Sequence, residues 1–161
     1  MAQAIRQISL VGELEADVEI KASAKKFHQL LAGRPQDIAK ATPENVQGCG
    51  LREGEFGKVG SVIVWNYVVD GQPKVTKERI EAVDPEKNLI ALRTIEGDRM
   101  KEFKSFLITV QATQKQRGPG SVVKCHFKYE RTDEKVVHPE NLLAVLVKVF
   151  KGMGEMLLSE V

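Results

Sequence analysis

The segment His138–Val161 constrains this chain more than any other. On a helical wheel at about 100° per residue, Asn141, Lys148, Lys151, Glu155 and Ser159 fall within one narrow polar stripe. Nearly everything else is apolar: Leu142, Leu143, Val145, Leu146, Val147, Val149, Phe150, Met153, Met156, Leu157 and Leu158. The apolar arc spans roughly 220°, whereas a helix resting on a single surface needs only about 100°. A helix of this kind is predicted to be enclosed on two or three sides, and the remaining residues must supply the wrapping.

Those residues read mostly as strands. Glu13 to Ile20 alternates acid and aliphatic without a break, the pattern of a half-buried strand. Ser23 is placed to cap a short amphipathic helix carrying Phe27, Leu30 and Leu31 on one face, with Gly33 as its stop. Pro35 can open a second short helix through Ile38, which Pro43 limits. From Asn45 the glycines Gly48, Gly50, Gly54, Gly57 and Gly60 mark a loop-rich stretch before a strand at Ser61–Val69. Asp70-Gly71 is a hairpin signal, and further strands are expected at Val75–Val83, Leu89–Ile95, Lys104–Ala112 and Val122–Tyr129. Short links favour an antiparallel meander. In the last two strands Phe106, Ile108 and Val110, then Val123, Cys125, Phe127 and Tyr129, point to one large apolar face. A curved sheet with such a face and a helix needing burial on several sides satisfy each other. The class is therefore α+β.

The 161 residues suit a single domain, 1–161, with an ordinary share of charge and apolar content. A net charge of +2 does not call for nucleic acid as a partner. No apolar run reaches the roughly 20 residues a membrane helix needs, so no membrane insertion is expected. The N-terminal segment shows no secretory apolar core. Cys49 and Cys125 stand apart without metal or redox spacing, which points to a reducing, cytoplasmic setting.

Taken together, GELEADVEIKASAKKFHQLL, NVQGCGLREGEFGKVGSVIVWNY, KERIEAVDPEKNLIALRTIEGD, KEFKSFLITVQ and HPENLL resemble the plant major latex protein family, within the birch-pollen-allergen superfamily. The similarity runs through nearly the whole chain in the same order. It implies a START-like helix-grip fold: a seven-stranded curved antiparallel sheet gripping the long C-terminal helix, two short helices closing one end, and an internal hydrophobic cavity for plant small molecules. Pathogenesis-related members carry a Gly-x-Gly-Gly-x-Gly loop. Here the matching stretch is Gly54-Glu55-Phe56-Gly57-Lys58-Val59-Gly60, which weakens any carry-over of phosphate binding or ribonuclease activity. As a P-loop it also fails, with Arg52 at the first glycine, Val59 at the hydroxyl position and a strand following.

By alternation and by this resemblance, the sheet wall of the cavity comprises Ile63, Trp65, Tyr67, Glu78, Ile90, Leu92, Thr94, Phe106, Ile108, Val123, Cys125, Phe127 and Tyr129. Leu146, Val149, Phe150, Met153 and Leu157 face them from the helix, and Leu30, Leu31, Ile38 and Phe56 are expected at the entrance. Tyr67, Thr94, Tyr129 and Glu78 are the polar groups available to orient a ligand. Glu78 is also the weak catalytic candidate: buried, it would move protons near neutrality, but no acid–base partner is evident, and a solvated or arginine-paired carboxylate is favoured. His28, His126 and His138 lack ligand spacing, so no metal is expected, and no cofactor is implied. Gly152 and Gly154 read either as points of close packing or as a pliable cavity wall, the second favoured by the resemblance.

The function expected is binding, with transport or sensing, of a hydrophobic plant metabolite, hormone or lipid, linked by resemblance to defence and stress. Alternatives are a cavity enzyme working by proton transfer and a protein acting through its surface. A monomer is expected, with a weak dimer as the alternative.

Overall fold

A computed structural model describes residues 9–160; the N-terminal stretch read for a leader and Val161 lie outside them. The elements in order are β1 (Val11–Ile20), α1 (Ala24–Gly33), a 3₁₀ turn at Pro35–Asp37, α2 (Ile38–Ala41), β2 (Val46–Glu53), β3 (Val62–Val69), β4 (Gln72–Asp84), β5 (Leu89–Gly97), a 3₁₀ turn at Asp98–Lys101, β6 (Phe103–Gln114), β7 (Ser121–Arg131) and α3 (Glu140–Ser159). All seven strands form one antiparallel sheet in the order β1-β7-β6-β5-β4-β3-β2.

Local chemistry explains most of these elements. The acids of β1 lie in register with Lys128, His126 and Lys124 of β7, so an acidic column runs beside a basic one on the outer face. Such cross-strand pairs stabilise a sheet by about 0.2–1 kcal/mol each. Ser23 caps α1, its hydroxyl accepting from the Lys26 amide at 3.2 Å. Asp70 and Gly71 both take positive φ, 53° and 71°, giving the tight β3–β4 hairpin. The loop-rich reading of the glycine stretch needs correction at its start. Val46–Glu53 is a strand at the sheet edge, paired with β3 through two register irregularities. Glycine spacing hid it, because Gly48 and Gly50 contribute no side chain to an alternation.

The long helix is gripped unevenly. Val149, Phe150, Met153, Gly154 and Leu157 are buried, whereas Leu142, Leu143, Val145, Leu146 and Val147 are only half-buried. The expectation of enclosure on several sides therefore holds for the C-terminal half of α3 alone. Its two glycines are points of close packing and line neither of the two spaces described below. A Cβ on Gly154 would stand 2.9 Å from Ile20 Cβ on β1, and one on Gly152 would stand 2.3 Å from Thr42 Cγ2 just past α2. The reading of these glycines as a yielding wall is thus corrected.

Below the helix the sheet's inner face is partly filled by aromatic rings. Phe106 meets Phe103 and Phe127 edge-on at 5.0 Å and stacks with Tyr129 at 5.8 Å. Phe150 of α3 meets Phe27 of α1 edge-on at 5.5 Å. Edge and offset contacts of this kind add about 0.5–1.5 kcal/mol per pair to the area buried.

Candidate functional site

Between the sheet and α3 the packing leaves two neighbouring spaces. The inner one is a narrow slot of about 70 Å³, walled by Leu31, Ile38, Val46, Trp65, Tyr67, Glu78, Leu92, Arg99, Ile108, Val110, Leu142, Val145, Leu146, Val149, Phe150 and Met153. The outer one is a cleft of about 380 Å³ between the β3–β4 hairpin, the Asp98–Lys101 turn and the start of α3. Polar side chains rim it, among them Asp70, Lys74, Asp98, Glu102, His138, Glu140 and Asn141. Tyr67, Arg99 and Leu142 border both spaces. The expected internal hydrophobic cavity is present as the slot alone; the larger, polar-rimmed cleft lies outside the sheet-and-helix sandwich.

Arg99 stands at the junction because of a glycine. Gly97 ends β5 at φ 109°, and a Cβ there would fall 2.4 Å from the Val75 carbonyl oxygen and 2.9 Å from Thr76 Cα. Only glycine lets the chain pass so close to β4 and fold back. Asp98 then pins the turn, accepting from the Val75 amide at 2.8 Å and pairing with Lys101 at 3.1 Å. The Val75 amide, seconded by Lys101, holds the Asp98 carboxyl below its ordinary range. The next residue, Arg99, is thereby sent into the interior.

There the Arg99 side chain is 7% exposed and its partner Glu78 3%. Arg99 Nη1 donates to Glu78 Oε2 at 3.0 Å and to Thr94 Oγ1 at 2.8 Å, and Nη2 donates to Tyr67 Oη at 3.3 Å. Tyr67 and Thr76 share a hydrogen bond of 2.6 Å. The guanidinium lies 4.9 Å from the Phe106 ring centre and 5.6 Å from that of Tyr67, within cation–π range. Glu78 is arginine-paired, one of the two states, solvated or arginine-paired, that the sequence favours over a catalytic carboxyl. Its partner went unassigned because Arg99 sits in a turn with no periodicity to give its direction.

The sequence reading placed Leu31, Ile38, Trp65, Tyr67, Glu78, Leu92, Ile108, Leu146, Val149, Phe150 and Met153 at the cavity, and all of them line the slot. The others do not. Ile63, Ile90, Phe106, Val123, Cys125, Phe127 and Leu157 are buried in solid core, as is Leu30, which is fully covered. Phe56 packs partly buried against that core, away from the slot wall. Thr94 touches the site only through Arg99. Tyr129 bonds to His138 Nδ1 instead, and so fastens the entry of α3. Alternation assigns a face without a depth along it, and the inner face is longer than the slot. For the same reason Val46, Val110, Leu142 and Val145 were missed, although the last two lie on the apolar arc of α3.

The remaining candidates stay structural. Burial, with the nearby charge of Glu78, pushes the thiols of Cys49 and Cys125 up to about 12, which makes both inert at neutral pH. Among the described residues no group of three or more His, Cys, Asp or Glu is arranged to hold a metal ion. No described helix is long and apolar enough to cross a membrane. In the Gly54–Gly60 loop the Glu55 amide donates to Ser61 Oγ at 2.9 Å, the Gly60 amide to the Ile80 carbonyl at 2.8 Å, and Lys58 pairs with Glu55 at 2.9 Å. These donors are taken up within the loop, by Ser61 and by β4.

An antiparallel sheet gripping one long helix, with an apolar slot beneath the helix, defines a ligand-binding class of fold. Residues 9–160 match the Pathogenesis-related protein Bet v 1 family. The chain belongs to that family, and within it to the major latex-like proteins. MLP-like protein 31 of Arabidopsis thaliana is 61% identical over 152 residues, covering 94% of this chain and 89% of that protein. MLP-like protein 28 of the same plant is 60% identical over the same share of this chain, which spans only 45% of that longer relative. The crystal structure of major latex-like protein 151 from Panax ginseng superposes with a TM-score of 0.87 at 37% identity, covering 91% of this chain and 97% of that one. Norcoclaurine synthase from Thalictrum flavum, solved with dopamine and hydroxybenzaldehyde, shares the fold at 17% identity and a TM-score of 0.72, covering 100% of this chain and 97% of that one.

Proposed function

We propose that this protein binds a hydrophobic plant small molecule (a hormone, secondary metabolite or lipid) and carries or senses it as a cytoplasmic monomer in defence and stress responses. One observation carries the reading: the slot wall is apolar except at one end, where Tyr67, Glu78 and Arg99 cluster. An apolar wall with a few convergent polar groups is the composition of a small-molecule site. Membership of a pathogenesis-related family and two free cysteines support the defence and cytoplasmic parts.

The slot alone is smaller than the roughly 300–1,000 Å³ of typical ligand sites. A ligand therefore lies across the border formed by Tyr67, Arg99 and Leu142, its apolar part beneath α3 and the rest in the cleft. Burial at about 25 cal/mol per Å² drives binding. An affinity in the micromolar range, about −8 kcal/mol, fits a site of this modest enclosure. Catalysis by Glu78 is not favoured, since its carboxylate is already committed to Arg99. Native mass spectrometry of the protein purified from its own tissue tests the proposal. An apolar molecule of a few hundred daltons should accompany it; protein that stays empty even after incubation with a tissue lipid extract would overturn the reading.

A further inference from the structure

The walls of the outer cleft belong to different elements, and one pair of side chains ties two of them together. Asn141, in the first turn of α3, donates through Nδ2 to both carboxylate oxygens of Asp70 at the tip of the β3–β4 hairpin, at 3.0 and 3.1 Å. Both residues line the cleft. Among the described residues no other side-chain hydrogen bond or ion pair joins α3 to the sheet.

The hairpin itself does not need this carboxylate. Its turn requires positive φ at Asp70 and Gly71, which Asn-Gly or Gly-Gly supplies as well as Asp-Gly. At the other end of the bond, α3 starts behind Pro139, which offers no side-chain cap, so an anion beside its first turn complements the helix dipole. The position of the pair matters too. Asp70 follows directly on β3, which carries Tyr67, and Asn141 directly precedes Leu142. Tyr67 and Leu142 both border the cleft and the slot. Parting the hairpin from the first turn of α3 therefore draws two residues of that border away from each other.

What else resists such a parting is little. The C-terminal half of α3 is locked where Gly154 meets Ile20 and Gly152 meets Thr42, whereas Leu142, Val145 and Leu146 are only half-buried. Asp70 and Asn141 are both exposed, so water can take the place of either partner. Ends of elements held in this way open locally while the rest stays folded. We propose that the Asp70–Asn141 pair is a clasp on the cleft, and that its release is the step by which a guest reaches and leaves the slot. This rests on the small-molecule reading above and adds the residues that control access.

Charge-swapped variants test it, with hydrogen-exchange mass spectrometry on the ligand-free protein and stopped-flow binding of N-phenyl-1-naphthylamine. Asn141→Asp sets carboxylate against carboxylate, and Asn141→Ala removes the amide without adding charge, so it carries the test if the first does not fold. The double variant Asp70→Asn/Asn141→Asp rebuilds the pair with donor and acceptor exchanged. Either single variant should speed amide exchange at residues 70–72 and 140–146, and should raise the association and dissociation rates of the probe together by at least about threefold, the effect of losing one modest hydrogen bond. The double variant should return both readouts to near wild type. Unchanged exchange in the single variants, or no recovery in the double one, would overturn the clasp. Faster exchange with wild-type binding rates would show that the guest passes elsewhere, overturning the inference and leaving small-molecule binding intact. A faster dissociation rate alone would mean that the pair touches the guest, which also overturns it. A wild-type protein that does not bind the probe would remove the small-molecule reading and the access step with it.

Discussion

At the scale of residues, the Glu78–Arg99 pair holds the largest electrostatic stake. Removing one partner strands a buried charge, which costs about 3–5 kcal/mol, whereas replacing both by apolar groups of similar size is often nearly neutral. Glu78→Leu alone should therefore lower the urea unfolding free energy by an amount of that order, and adding Arg99→Met should recover most of the loss. Additive losses would show that the two side chains do not act as a pair. His28 makes a pH prediction. Burial in α1 pushes its imidazole below 6.5, against a smaller opposing pull from Asp84. The unfolded chain then binds the proton first as pH falls, so stability declines below about pH 6.5. His28→Gln should flatten that part of the urea midpoint–pH curve, and an unchanged slope would contradict the assignment. The raised cysteines predict that iodoacetamide at pH 8 labels the native protein far more slowly than the urea-unfolded chain, read by intact mass.

At the scale of elements, glycine decides how closely neighbours approach. Gly154→Ala gains helix propensity of about 1 kcal/mol but forces a methyl against Ile20, a branched residue fixed in β1. Overpacking of that kind costs about 1–3 kcal/mol, so the net change in unfolding free energy should be destabilising. A stabilised Gly154→Ala protein would mean that α3 shifts easily on β1. The strands were legible because alternation reports which face is buried: Glu13 to Ile20 and Val123 to Tyr129 behave as their patterns predict. β2 was not, since Gly48 and Gly50 erase the alternation. The extent of the slot was not legible either. Phe106, Phe127 and Tyr129 alternate as inward residues do, yet they pack on one another instead of lining space. Arg99 could be found only by asking which cation answers a buried Glu78, and by noticing that Gly97-Asp98 turns the chain back towards it.

At the scale of the whole molecule, the sheet and α3 divide two tasks between the halves of the helix. Its C-terminal half is clamped by Ile20, Thr42 and Phe27, and supplies stability. Its N-terminal half lies over the slot with Leu142, Val145 and Leu146 half-buried, and supplies the apolar surface that a guest would complete. The sole tryptophan, Trp65, lines that slot and reports on it directly. The decisive measurement is a fluorescence titration with the neutral apolar probe N-phenyl-1-naphthylamine, following probe emission and Trp65 quenching together. Saturable one-to-one binding in the micromolar range is predicted, weakened at least about tenfold in Leu146→Phe and Val149→Phe, which fill the slot from α3. Binding that does not saturate, or that is equally tight in both filled variants, would contradict the claim that the space between sheet and helix is the ligand site.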